Sequence, residues 1–272
     1  MTNYPTFRYL QNLDGFLSED AYSLFQSLNH ASELKGSILE IGVFCGRSLM
    51  GLALAFPKAN KIIGVDPFFE NFEESPALPG EGEHLALTSH HANSTNRMQG
   101  IHQLADIIDS ETQSQVSDKI QLIRTTQDEY LAKKKQSTKH AICHVDGEHT
   151  FEAVVKLLDA LPNLMKQDGL IIIDDILNLG YPGIAEAVYT HPNFKKSFFP
   201  IIYAFNKGVF IYGTSEKSRQ SLIHTLNNQL KNKSYTIRKL HDQSLMVYHA
   251  APATPSPSST KKLIMRIISI FQ

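Results

Sequence analysis

From about Gly36 to Tyr212, short unbroken apolar runs alternate with amphipathic stretches, the pattern of a parallel sheet covered by helices on both faces. The runs SILEIGV (37–43), KIIGVD (61–66), KIQLIR (119–124), HAICHVD (140–146) and GLIIIDD (169–175) are short, predominantly apolar in their interiors and rich in β-branched residues. They predict strands buried on both sides. Between the last two, Phe151, Val154, Val155, Leu158 and Leu161 recur at helical spacing. This segment is expected to cross the sheet as a helix, with Asp168-Gly169 turning the chain back, so that the strands ending at Asp146 and Asp174 run parallel.

Ahead of the first run, Ser18 is placed as the N-cap of a covering helix whose first turn carries Glu19 and Asp20, favourable for the helix dipole. After the fifth run, IIYAF (201–205) and VFIYG (209–213) flank Asn206-Lys207-Gly208, read as the three-residue connection of an antiparallel hairpin. A helical stretch near 216–231 and the strand-like runs SYTIRKL and SLMVYHA follow. The expected fold is α/β: a doubly wound, mostly parallel seven-stranded sheet with an antiparallel C-terminal hairpin. Covering helices occupy 1–35 and one domain spans 36–250.

Two segments stand outside this pattern. Residues 67–100 are too long and irregular for a plain connection, which points to an active-site cover. Residues 251–260 form a Pro/Ser linker. Beyond it, in 261–272, Leu263, Ile264, Ile267, Ile268 and Phe271 make a helical stripe opposite Lys261, Lys262 and Arg266. Such a helix either contacts a membrane surface peripherally or docks on its own domain or on a partner chain, a homo-oligomer included.

Composition narrows the classes. The 272 residues are 42% hydrophobic, and 26 Lys+Arg nearly cancel 27 Asp+Glu, so no basic surface is available for the many phosphate contacts a nucleic acid requires. No nucleic-acid partner is expected. Cys45 and Cys143 cannot make a disulfide framework, and the start MTNYPTFRYL lacks a secretory layout. The expectation is a cytoplasmic protein, peripheral at the inner membrane face if its tail engages lipid. No apolar run approaches the ~20 residues of a membrane span.

The candidate chemistry lies at the ends of the apolar runs. Glu40, Gly42, Gly46 and Ser48 sit where the first strand turns into a helix, a place where a ligand can approach the backbone closely and meet free N–H groups. The G-x-x-x-G spacing differs from the G-x-G-x-x-G of dinucleotide sites. Asp66 closes the second strand about 20 residues on, where a carboxylate can accept both hydroxyls of a ribose; the plainer reading is a turn-initiating Asp before Pro67. Asp146 and the pair Asp174 and Asp175 end two strands whose tips would lie about 5 Å apart on the carboxyl edge of the sheet. A single Asp there often only caps a turn. Three together repel unless a cation or buried donors neutralise them, and Mg²⁺ suits that need. His149, three residues past Asp146, is the best candidate base, against the alternative that it only hydrogen-bonds its own loop. His84, His90 and His91 show no metal-ligand spacing, and the cysteines are assigned no chemistry.

In their order, EIGVFCGRS, GVD, HVDGEHTFEAVVKLL and GLIIIDD resemble the class I S-adenosylmethionine-dependent methyltransferases, most of all the metal-dependent branch acting on hydroxyls of sugars, macrolides and catechols. The resemblance covers roughly residues 15–213 and implies a Rossmann-like methyltransferase fold. It also implies that Glu40, Gly42, Gly46 and Ser48 line the methionine and ribose side of S-adenosylmethionine, that Asp66 holds the ribose, and that Asp146, Asp174 and Asp175 ligate Mg²⁺. The adenine side falls at Thr125, Thr126 and Gln127, where relatives often carry Gly-Asp-Ser. The implied acceptor is a small molecule or saccharide. The rival readings are a non-catalytic module that keeps the donor pocket, a metal-independent methyltransferase and a nucleotide-dependent oxidoreductase, the last disfavoured by the glycine spacing.

Overall fold

A computed structural model describes residues 6–32, 34–68, 94–133, 138–230, 235–240 and 243–248. The apolar runs become β1 (Ser37–Ile41), β2 (Lys61–Asp66), β3 (Ile120–Arg124), β4 (His140–Val145) and β5 (Met165–Ile173). They pair in parallel in the order β3-β2-β1-β4-β5. The order reverses at β1, which lies between β2 and β4. That reversal opens a crevice at the carboxyl ends of the strands.

Two apolar clusters cover the two faces of the sheet. On one lie α1 (Phe7–Leu10), α2 (Glu19–Ser32), α3 (Arg47–Ala55), α4 (Ser94–Thr112) and, near the far edge, α9 (Glu216–Gln229). On the other lie α5 (Gln127–Ala132), α6 (Phe151–Leu164), α7 (Pro182–Thr190) and α8 (Pro192–Ser197). Ser18 accepts the N–H of Ala21 at 3.1 Å, the N-cap expected for the covering helix. Helix α6 starts on Thr150, whose hydroxyl accepts from Ala153 N–H, and buries Val154, Leu157, Leu158, Leu161 and Leu164. Each such side chain stabilises the packing by about 1.5–3 kcal/mol. The Asp168-Gly169 turn sits inside β5 as a local irregularity, with Asp168 at φ +60° and the β4 register shifting between His140 and Ile142.

The hairpin forms from β6 (Phe198–Ala204) and β7 (Lys207–Tyr212), but its connection differs from the expected one. Phe205 and Asn206 alone make the turn, both at positive φ (53° and 67°). A two-residue turn of this kind matches the twist of the flanking strands. Gly208 lies within β7, where a Cβ would come within 3.0–3.2 Å of Tyr203, Phe210 and Ile176. The two later runs also join the sheet: β9 (Gln243–Tyr248) pairs parallel to β6, and β8 (Tyr235–Leu240) pairs antiparallel to β9. Nine strands are therefore present among the described residues, the expected seven plus these two.

Residues 94–100, expected to be irregular, are the first turns of α4. The remainder of the expected cover, His84, His90 and His91, and the linker and tail of 251–272 lie outside the described residues. Among the described residues no helix is long and apolar enough to cross a membrane.

Candidate functional site

The ends of the central strands are level. Gly42 N–H reaches Val65 O (2.9 Å), Asp146 N–H reaches Ile41 O (2.8 Å) and Asp174 N–H reaches Val145 O (2.9 Å). A cavity of about 510 Å³ opens at this edge, within the range of small-molecule sites. Its walls come from the β1–α3 loop, the ends of β2, β4 and β5, the turn before β7, and the segment leading into α2.

On one side stands the glycine-bearing turn. Gly42 has φ +88°, and a Cβ there would lie 1.8 Å from the carbonyl oxygen of Asp146, so only glycine lets β1 and β4 meet this closely. Asp66 organises the same turn: one carboxylate oxygen accepts Val43 and Phe44 N–H, each at 2.9 Å, and the other accepts Phe68 N–H at 2.6 Å. Oδ1 keeps a further lone pair, and Asp66 lines the cavity together with Gly42, Ser48 and Thr126. Thr126 also caps α5 through a reciprocal pairing with Glu129.

Glu40 and Gly46 are not in the cavity wall. Gly46 is the left-handed N-cap of α3. Glu40 stands in β1, fully buried, with its Oε1 2.7 Å from Nδ1 of the equally buried His144, whose ring meets Phe25 of α2. Burial pushes the Glu40 carboxyl up, against hydrogen bonds from His144 and Ser48 that pull it down. Ser48 links this buried pair to the cavity.

On the other side the acids meet. His149 Nε2 lies 3.5 Å from Asp146 Oδ1 and 3.6 Å from Asp175 Oδ2, and its ring rests on Tyr181 at 4.3 Å between centroids. Asp175 adopts φ +55° and accepts from the side-chain amides of Asn178 (3.1 Å) and Asn206. Asp174 pairs instead with the buried ammonium of Lys207, and its Oδ2 is 4.0 Å from His144 Nε2. Burial resists ionisation of Asp146, but the adjacent side chains of His149, His144 and Lys207 outweigh it and hold this carboxyl below its usual range. Burial pushes Asp174 up, with Lys207 opposing. One ligand atom each from Asp146, His149 and Asp175 lie within 4.8 Å of one another, as do those of His144, Asp146 and Asp174. The oxygen-rich set fits a hard divalent cation.

Sequence reasoning did not single out Lys207, His144, Tyr181 or Asn206 for this site. His144 was within reach, because it stands two residues before Asp146 and so shares its side of β4. In the sequence Lys207 and Asn206 are legible only as turn residues.

The methyltransferase domain family matches residues 39–176. A comparison with curated proteins finds no match. Among solved structures, CalS11, a calicheamicin methyltransferase, aligns at 16% identity over 73% of this chain and 82% of its own, with a TM-score of 0.51. The O-methyltransferase NovP aligns at 14% identity over 72% and 79%, with a TM-score of 0.49. The likeness to CalS11 is one of fold.

Proposed function

Since this chain belongs to the methyltransferase domain family, we propose that it moves the methyl group of S-adenosylmethionine to a hydroxyl of a small molecule or saccharide, assisted by a divalent ion such as Mg²⁺. The observation that carries this reading is the meeting of Asp146, His149 and Asp175 at the rim of the same cavity that Gly42, Ser48 and Asp66 line.

In this reading Gly42 gives the donor close access to the backbone, Asp66 binds its ribose while holding the β1–α3 turn, and Thr126 lies toward its adenine. Asp146 and Asp175, with Asp174 beside them, would hold the ion, which when bound supplies a Lewis acid that makes a hydroxyl a better nucleophile. The acceptor oxygen attacks the methyl carbon as the C–S bond breaks, its electron pair staying on the sulfur of S-adenosylhomocysteine. The hydroxyl proton passes to His149 Nε2, whose ring Tyr181 keeps in place.

Calorimetric titration with S-adenosylmethionine, S-adenosylhomocysteine and NAD, each with and without Mg²⁺, tests the reading. The first two bind and NAD does not. Binding of NAD alone would overturn the proposal, and full turnover in excess chelator would remove the metal from it.

A further inference from the structure

We infer that Lys207 withholds Asp174 from the metal, so that a divalent ion in this site is held by Asp146 and Asp175. The inference rests on the metal-assisted reading above and departs from a symmetrical role for the three acids.

The pairing follows from topology. Strand β7 runs antiparallel to β5 with Gly208 opposite Ile173, which sets Lys207, one residue before Gly208, beside Asp174, one residue after Ile173. Lys207 is 4% exposed, and its Nζ contacts Asp174 Oδ2. The other oxygen of Asp174 accepts the Asp175 N–H at 2.9 Å. Both oxygens of Asp174 are thus engaged by donors of the chain itself. Nε2 of the fully buried His144 also lies 4.0 Å from Oδ2 of Asp174, without a hydrogen-bond partner among the described residues. Asp175 differs: its left-handed backbone turns the side chain so that Asn178 and Asn206 take Oδ1, leaving Oδ2 toward His149 and Asp146.

Charge supports the same division. Three carboxylates and one ammonium leave two negative charges, which one divalent ion neutralises. Drawing Asp174 to the metal would strand a buried ammonium beside a dication, a strongly unfavourable arrangement.

The test is Mn²⁺ binding to the full chain, followed by the paramagnetic resonance of the free ion, in variants that separate charge from ligation. Asp146→Asn and Asp175→Asn are expected to weaken Mn²⁺ by about 30-fold or more. The double variant Asp174→Asn/Lys207→Met keeps the net charge of the site and should bind within about threefold of the parent chain, whereas Lys207→Met alone should bind about tenfold more tightly. A loss in the double variant as large as that of Asp146→Asn would overturn the inference and leave the metal reading standing. Failure of both the parent chain and Lys207→Met to bind Mn²⁺, with S-adenosylhomocysteine still bound, would overturn the metal reading and this inference with it. The anomalous signal of a Mn²⁺-soaked parent crystal gives an answer that needs no variant: coordination of the ion by Asp146 and Asp175 supports the inference, and coordination by Asp174 refutes it.

Discussion

Asp66 accepts the backbone N–H of Phe44, 22 residues upstream, at 2.9 Å, on the oxygen that also takes Val43. Phe44 is held at φ +52°, a conformation costing a bulky residue of order 1–3 kcal/mol and sustained only by surrounding contacts. The carboxylate at the end of β2 therefore shapes the glycine-bearing side of the cavity as well as facing it.

Asp66→Asn puts an amide NH₂ where one oxygen now accepts N–H groups. Loss of those bonds should cost about 1–3 kcal/mol of stability. The affinity for S-adenosylhomocysteine, read by calorimetry, should fall about tenfold or more, since about 1.4 kcal/mol is a factor of ten.

Asp146→Ala and Asp175→Ala should reduce turnover by about 10³-fold or more, because activation and positioning of the hydroxyl are lost together. Binding of S-adenosylhomocysteine should change by less than about threefold, since in the proposed reading Gly42, Asp66 and Thr126 hold the donor while these two carboxylates hold the ion. Equal losses of turnover and of donor affinity would argue against the separate roles.

His149→Gln should lower turnover by about 10²–10⁴-fold, the usual contribution of a positioned base. A chain that kept full activity would return His149 to a loop-bonding role.

Gly42→Ala should be among the most destabilising changes in the chain, by more than about 4 kcal/mol, because a left-handed backbone and a severe clash act together. The clash is with the Asp146 carbonyl, 1.8 Å from the added Cβ. Thermal melting or soluble yield reads the effect.

His140 is buried at the start of β4, with Nδ1 2.9 Å from Ser37 Oγ. Burial, helped by the charge of Lys166, lowers its pKa to about 4. The folded state thus binds its proton less readily than the unfolded chain does. This contribution to stability is complete above the unfolded value near 6.5 and is lost as the pH falls toward 4, by at most about 3 kcal/mol. Denaturant midpoints measured from pH 7 to 4 should fall less steeply in His140→Gln.

The strands, their parallel sense and the positions of the acids at their ends were legible in the sequence. Buried strands must be nearly continuous apolar runs, and a parallel sheet needs a crossover helix, whose spacing the segment from Phe151 to Leu161 displays. The meeting of Asp146 with Asp175 near His149 followed from strand adjacency. The partnerships of the side chains did not. Asp174 and Asp175 are neighbours in sequence, yet one pairs with Lys207 and the other faces His149. The difference arises from a left-handed backbone at Asp175 and from where β7 enters the sheet. In the same way the sequence shows Glu40 near the end of β1 but not its buried pairing with His144. Sequence periodicity determines which face of an element is buried; which charge neutralises which is decided only when strands distant along the chain are brought into register, because the interaction depends on distances the linear order does not contain.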